Sequence, residues 1–93
     1  MDLGTAIKEC RKAKKISRAA FAQRVGLSSQ SVFNIEKNLS FPSKTNMKKI
    51  CNALDMSVSA LMVFALTEED VPVEKREAFG YLIKPLKEFF KDA

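Results

Sequence analysis

SRAAFAQRVGLSSQSVFNIEK, residues 17–37, is the stretch that decides the fold of this chain. Its apolar residues repeat at helical spacing on both sides of a short break, which predicts two helices joined by a tight turn. Gly26 stands just past the first helix, where a left-handed backbone conformation is easiest for glycine. Ser28 stands where a side-chain oxygen can cap the second helix. The residues expected to pack this pair together are Phe21, Ala22, Val25, Val32 and Ile35.

Further amphipathic helices are predicted on both sides of this pair. Apolar residues recur at helical spacing over 3–14 and over 44–54, and a shorter helix is predicted over 58–64. With short connections, five such helices form a compact all-α domain, which we place at residues 1–66. The second helix of the pair, residues 29–37, is then the third helix of the chain.

A C-terminal extension, residues 67–93, follows the five helices. Thr67 and Asp70 have a spacing similar to that of a capping box. Pro85 removes one helical hydrogen bond, so we expect either one kinked helix or two helical pieces after residue 72. The extension also carries a wide apolar stripe, formed by Phe79, Leu82, Ile83, Leu86, Phe89 and Phe90. This stripe either folds back onto the core of its own chain or pairs with a second chain.

The charge is distributed unevenly along the chain. Eleven basic and four acidic residues give residues 1–66 a net charge of +7, whereas residues 67–93 carry −2. A basic body with a mildly acidic extension indicates a polyanionic partner for the body alone. The alternative is a basic surface that only keeps the protein in solution.

The composition argues against several classes of function. The chain contains no histidine, and Cys10 and Cys51 lie 41 positions apart, so we expect no metal site and no cofactor. Two reduced thiols in the core are favoured for these cysteines, with a disulfide as the alternative. The chain has no paired carboxylates spaced with a nucleophile and no phosphate-binding glycine loop, so we expect no enzyme. A small-molecule ligand is not expected either, because there is no separate ligand domain.

Membrane insertion is not expected. The longest apolar run, residues 60–66, has seven residues, whereas a helix that crosses a bilayer needs about 20. Charged residues Lys8, Glu9, Arg11 and Lys12 lie where a signal peptide needs an apolar core. These features predict a cytoplasmic protein, associated with the nucleoid if the polyanionic partner is DNA.

Residues 3–62 resemble the Cro/cI-type helix-turn-helix domain of phage repressors and bacterial Xre-like regulators. The matching positions are Ile7, Arg11, Phe21, Ala22, Val25, Gly26, Ser28, Val32, Ile35, Glu36, Pro42, Leu54 and Leu61. The resemblance implies a five-helix lambda-repressor-like fold and sequence-specific binding of double-stranded DNA by a transcriptional repressor. It also implies a buried ion pair between Arg11 and Glu36, which would set the angle of the third helix. Asn38 departs from the glycine that is common at its position.

The resemblance also indicates which residues contact DNA. In a helix-turn-helix the second helix enters the major groove with its N-terminal residues at the base edges. We therefore expect bases to be read by Ser29, Gln30, Phe33 and Asn34. Glutamine and asparagine pair with adenine, and a phenylalanine contacts a thymine methyl group. The alternative is that the two amides are ordinary surface residues and the phenylalanine belongs to the edge of the core. Phosphate contacts are expected from Arg18, Ser28, Ser31, Lys37 and Lys44.

The size of the domain predicts a homodimer. One domain buries only ~600 to 1,000 Å² on DNA, and a two-fold dimer gains specificity by reading two half-sites. The first candidate pairing surface is formed by Met56, Val58 and Met62, and the second lies on the extension and includes Leu82, Leu86 and Phe89. An antitoxin that grips a protein toxin through the extension is the alternative from a different class. Phage repressors and restriction–modification controllers also remain open.

Overall fold

A computed structural model describes residues 1–91 of the chain, and these residues contain helices and no strand. The helices are α1 (Leu3–Ala13), α2 (Arg18–Val25), α3 (Ser29–Glu36), α4 (Lys44–Ala53), α5 (Val58–Ala65) and α6 (Arg76–Lys91). Two short 3₁₀ turns, Glu68–Asp70 and Val73–Lys75, connect α5 to α6. The predicted all-α fold with an additional C-terminal helix is therefore confirmed.

Serine side chains begin four of the six helices. The hydroxyl oxygens of Ser17, Ser28, Ser43 and Ser57 each accept the backbone N–H three residues later, at 3.0 to 3.1 Å. Each contact satisfies one of the amide groups that a helix start leaves without a partner. The helix starts follow from short-range chemistry, and the Ser28 cap is the one that the sequence analysis predicts for α3.

The core lies between the first five helices. Its largest fully buried side chains are Phe21, Ile7, Ile50, Leu54, Leu61, Val25 and Val32. All of them stand at the helically spaced positions of the amphipathic patterns. The helix pair of residues 17–37 contributes three of these seven, so the pair is held by the same core that holds the other helices.

In the described part of the extension, one long helix follows the two 3₁₀ turns. The structure has neither a helix that starts at Val73 nor two pieces divided by Pro85, because a 3₁₀ turn occupies 73–75 and α6 continues through the proline. Proline at position 85 leaves the carbonyl of Tyr81 without its helical donor. Both residues are exposed, so water can hydrogen-bond that carbonyl, and the helix tolerates the missing bond.

The helix α6 packs on α5 with one side and leaves the other side open. Phe79, Ile83 and Phe90 are half-buried on the packed side. Leu82, Leu86 and Phe89 are 67%, 41% and 70% exposed on the other. The apolar stripe of the extension is thus divided between two surfaces of the helix.

A groove of about 500 Å³ lies between α1 and the C-terminal half of α6, and Met56, Phe64 and Phe90 are among the residues that line it. Cys10 also lines this groove and is only partly buried, whereas Cys51 is buried, and both cysteines are free. Burial, followed by the nearby charge of Glu9, raises the pKa of the Cys10 thiol to about 11. The thiol therefore stays protonated at neutral pH.

Candidate nucleic-acid interface

The turn between α2 and α3 is formed by Gly26 in a left-handed conformation, with φ of 72°. Its N–H donates to the carbonyl oxygens of Ala22 and Gln23, and the N–H of Leu27 donates to the Ala22 oxygen at 2.9 Å. Space around Gly26 is open, so a side chain is disfavoured here by the backbone conformation. Two residues later the Ser28 cap begins α3, which keeps the turn short.

The position of α3 is set by a buried ion pair at its end. Arg11 donates from Nε to Glu36 Oε2 at 2.7 Å and from Nη2 to Glu36 Oε1 at 3.1 Å. The remaining amino group, Nη1, donates to the carbonyl oxygen of Ile16 at 2.8 Å. Arg11 and Glu36 are only 5% and 3% exposed. The structure thus contains the pair that the resemblance implies, and its hydrogen bonds tie α1 to the last residue of α3.

A second tie between α1 and α3 involves residues that the sequence did not reveal. A Cβ atom on Gly4 would lie 2.5 Å from the carbonyl oxygens of Ile35 and Glu36, so only glycine lets the two helices approach this closely. Asn38, with φ of 60°, accepts the N–H of Gly4 at 2.9 Å and donates from Nδ2 to Asp2 at 2.7 Å. These contacts explain the asparagine in place of glycine, because its side chain bridges the end of α3 to the start of α1.

The expected base-reading residues lie on the outer part of α3. Ser29 and Gln30 are exposed, and Asn34 is half-buried. The Nε2 atom of Gln30 donates to Asn34 Oδ1 at 3.0 Å. This contact leaves the Gln30 oxygen as an acceptor and the Asn34 nitrogen as a donor. One acceptor beside one donor is the combination that the N6 and N7 atoms of adenine require.

Phe33, the fourth expected reader, has two cations over its ring. Arg18 Cζ lies 5.0 Å from the ring centroid, and Lys37 Nζ lies 5.8 Å from it. Both distances are within the range in which a cation is attracted by an aromatic face. Phe33 is half-buried, so its ring lies at the margin between the core and the outer face of α3.

Arg18, expected to contact phosphate, belongs to the network around Glu36. Its Nε donates to Glu36 Oε1 at 3.3 Å, and its side chain stays 35% exposed. This bond uses one of the five N–H donors of a guanidinium group. Two guanidinium groups, those of Arg11 and Arg18, therefore share a single carboxylate, and the network has one positive charge in excess.

The other expected phosphate contacts surround α3. The Ser28 hydroxyl, which already caps the helix, donates to Ser31 Oγ at 2.9 Å. Lys37 directly follows α3 and Lys44 begins α4, and both are exposed. Positive charge is thus present beyond the C-terminal end of α3 and across the loop that follows it, while the N-terminal end presents hydroxyl and amide groups.

The residues expected to form dimer surfaces differ in their exposure. Met56 and Met62 are half-buried and pack against the core, while Val58 stays exposed at the start of α5. Leu82, Leu86 and Phe89 lie on the open side of α6, together with Tyr81 and Pro85. The larger exposed apolar surface is therefore the one on α6.

Two general features of residues 1–91 are relevant to function. No helix in this range has the length and apolar character needed to span a membrane. Within the same range, no three His, Cys, Asp or Glu side chains are grouped so that they could hold a metal ion.

Comparison with known proteins assigns the chain to a family. A family model described as Helix-turn-helix matches residues 7–61, which is more than half of the chain and runs from α1 to α5. Searches of curated proteins and of solved structures found no match. The matched range contains the glycine turn, the serine cap of α3 and both partners of the buried ion pair. The chain belongs to the Cro/cI-type helix-turn-helix family of DNA-binding transcription regulators.

Proposed function

We propose that this protein is a homodimeric transcriptional repressor that binds a specific double-stranded DNA site with α3 in the major groove. One observation carries this proposal: two amide side chains that bond to each other, the exposed Gln30 and the half-buried Asn34, stand on a helix whose end is held by the buried Arg11–Glu36 pair. Polar groups that read bases must be both accessible and held in place. The α3 helix meets both conditions.

The reading surface is Ser29, Gln30 and Asn34, in the N-terminal and middle turns of α3. Residues in these turns reach base edges when the second helix of a helix-turn-helix enters the groove. On DNA the Gln30–Asn34 contact either persists, so that the two amides read a base together, or opens, so that each reads its own base. Both arrangements favour adenine as the base contacted.

Affinity comes from the charges around this surface. The five-helix body carries the +7 charge, and it includes Arg18, Lys37 and Lys44, the cations that we assign to phosphate contacts. Contacts between such side chains and phosphates position a protein on the duplex without selecting the sequence. The network of Arg18, Arg11 and Glu36 has one excess positive charge, which a phosphate neutralises.

Dimerisation occurs through the open side of α6. This side changes from the small Ala78 at one end to the large Phe89 at the other, and Leu82, Pro85 and Leu86 lie between them. A two-fold axis perpendicular to α6 makes its two copies antiparallel, so that each Phe89 lies beside Ala78 of the second copy. Surfaces that match in this way bury apolar area that is otherwise in contact with water.

Repression is the regulatory effect that this binding mode supports. A protein whose α3 occupies the major groove of its site keeps other proteins off the same stretch of DNA. The same open side of α6 supports one alternative, an antitoxin that binds a toxin through this helix. A chain that is monomeric alone, and forms a one-to-one complex with a toxin encoded beside it, would favour the antitoxin.

The experiment that tests DNA binding is selection of bound duplexes from a random pool with the full chain. The dissociation constant is then measured on the selected duplex and on a scrambled duplex of the same composition, at several salt concentrations. We expect one enriched motif with two-fold symmetry and an affinity that falls steeply with salt. A pool without enrichment, or binding that does not respond to salt, would refute the proposal.

A further inference from the structure

Phe33 stands where two of the expected phosphate contacts meet. It is the residue of α3 that both Arg18 and Lys37 approach, at 5.0 and 5.8 Å from the ring centroid. Arg18 comes from the first turn of α2, and Lys37 from the end of α3. One aromatic ring therefore holds two cations that come from different elements.

The geometry points to Phe33 as a positioning residue, which holds Arg18 and Lys37 as a clamp for one DNA phosphate and does not itself read a base. This inference rests on the proposed function, because it assigns a role within the same DNA interface. It differs from the prediction of the sequence, which assigns Phe33 to the base-reading residues.

The first argument is the arrangement of Arg18. Its Nε donates to Glu36 at 3.3 Å while its Cζ lies over the ring. A long flexible side chain loses rotamer freedom when it binds a ligand. An arginine that is already held by a carboxylate at one edge and a ring at one face loses less. Its remaining N–H donors stay available to an oxygen anion.

The second argument is the charge of the cluster. Arg11, Arg18 and Lys37 carry three positive charges, whereas Glu36 carries the one negative charge in contact with both arginines. Arg11 is buried and already makes three hydrogen bonds. The excess charge is thus on Arg18 and Lys37, the two cations that lie over Phe33 and remain accessible. A phosphate that binds there meets two cations whose positions are already set.

The third argument is the ring itself. Cations over an aromatic face occupy the surface with which the ring would contact a thymine methyl group. Phe33 is also half-buried, so part of the remaining surface faces the protein. The amide groups of Gln30 and Asn34 are not covered by these cations, and they bond to each other on the outer part of α3.

The test compares Phe33→Leu, which removes the ring, with Phe33→Tyr, which retains it, and with Gln30→Ala, which removes a reader. Dissociation constants of the full chain are measured on the selected duplex and on the scrambled duplex between low and moderate salt. Thermal unfolding of each variant verifies that it folds. A cycle that combines Phe33→Leu with Arg18→Ala measures whether the two residues act together.

We expect Phe33→Leu to weaken binding to both duplexes by the same factor, about two- to fivefold. The slope of log affinity against log salt should become shallower by up to about 1. Phe33→Tyr should bind like the natural chain, and Phe33→Leu should have little further effect in the Arg18→Ala background. Gln30→Ala should instead reduce the ratio of the affinity for the selected duplex to the affinity for the scrambled duplex.

Two outcomes would overturn the inference while the proposed function stands. A Phe33→Leu chain that loses affinity only for the selected duplex, with an unchanged salt slope, makes Phe33 a base reader. A folded Phe33→Leu chain that binds both duplexes like the natural chain removes Phe33 from the interface. Failure of the proposed function is a different result, since the natural chain would then not distinguish the two duplexes at all.

Discussion

Arg11 and Glu36 form a bidentate ion pair that joins the C-terminal half of α1 to the last residue of α3, at 2.7 and 3.1 Å. The pair lies beneath the surface, and Glu36 accepts a third hydrogen bond from Arg18, whose side chain stays 35% exposed. One carboxylate thus contacts both a buried structural arginine and a cation on the proposed DNA-binding surface. The angle of α3 and the position of Arg18 therefore depend on the same residue.

Removing one partner of this pair should destabilise the protein strongly. Arg11→Ala leaves the Glu36 carboxylate buried with only Arg18 beside it, and such losses cost about 3 to 5 kcal/mol of unfolding free energy. Replacing both residues with methionine should recover most of the loss, because no buried charge then remains. Urea unfolding measures the stability of the natural chain and of both variants, with Lys12→Ala on the exposed face of α1 as the control. An Arg11→Ala cost as small as that of Lys12→Ala would contradict this account.

Replacing Gly4 and Gly80 with alanine should change the stability of the protein in opposite directions. Gly4→Ala places a Cβ 2.5 Å from two backbone carbonyl oxygens, so α1 and α3 must separate, at a cost of about 1 to 3 kcal/mol. Gly80→Ala meets nothing within 4 Å on the exposed part of α6 and should stabilise the protein by ~0.5 to 1 kcal/mol. Thermal unfolding measures whether each substitution lowers or raises the stability of the protein. Equal effects at the two positions would mean that the close approach at Gly4 is unimportant.

Asn38→Gly should weaken the protein in a pH-dependent way. The hydrogen bond from Asn38, followed by those from Thr5, lowers the pKa of Asp2 below its ordinary value of about 3.8. A lowered pKa in the folded state contributes stability above pH ~4, and this contribution disappears as the pH falls through the folded pKa. Glycine keeps the left-handed backbone but removes the donor, so the pKa of Asp2 should rise.

The measurement for Asn38→Gly is urea unfolding of both proteins at pH 7 and at pH 2, with an NMR titration of the Asp2 carboxyl. We expect the stability difference between the two proteins to be larger at pH 7 than at pH 2. Thr45→Gly, a substitution on an exposed part of α4, provides a control without this pH dependence. A difference that is the same at both pH values would show that the contact with Asp2 contributes no stability.

Alanine substitutions of the amide pair should change sequence preference. Gln30→Ala and Asn34→Ala should each cost ~1 to 3 kcal/mol of binding free energy on the selected duplex and relax the preference for its bases. Because the two side chains bond to each other, the double variant should cost less than the sum of the single ones. Fluorescence anisotropy on matched and mismatched duplexes measures this, with Asn52→Ala on α4 as the control. If both single variants prefer the matched duplex as strongly as the natural chain does, the two amides do not read bases.

A charge on the open side of α6 should dissociate the dimer. Leu82→Glu places a carboxylate in the centre of the proposed interface, where an unpaired charge loses its hydration. The full chain should then elute as a monomer, measured by size-exclusion chromatography with light scattering, and bind the two-fold site more weakly. Lys84→Glu introduces the same residue outside the open side and should leave the dimer intact. If Leu82→Glu stays dimeric, the pairing surface lies elsewhere, and Val58→Glu tests the surface at the start of α5.

Short-range signals in the sequence were sufficient to predict most of the helices and the residues that form the core. The serines before α2, α3, α4 and α5 and the glycine after α2 determine helix ends from contacts within a few residues. The periodicity of apolar residues placed every fully buried large side chain in a predicted helix. The ion pair between Arg11 and Glu36, 25 positions apart, came from the family resemblance, since neither residue marks its partner.

Only the tertiary structure decided how distant segments meet. Three sets of contacts join residues that are distant in the sequence, so local patterns do not relate them. They are the approach of α1 to α3 at Gly4, the bridge from Asn38 to Asp2, and the contacts of Arg18 with Glu36 and Phe33. The stripe on α6 is continuous in sequence, but packing on α5 buries one side of it and exposes the other. By itself the sequence determined which segments become helices and which residues face a core, because those depend on neighbouring residues. The arrangement of cations around α3 depends on where the helices cross, so it required the folded chain.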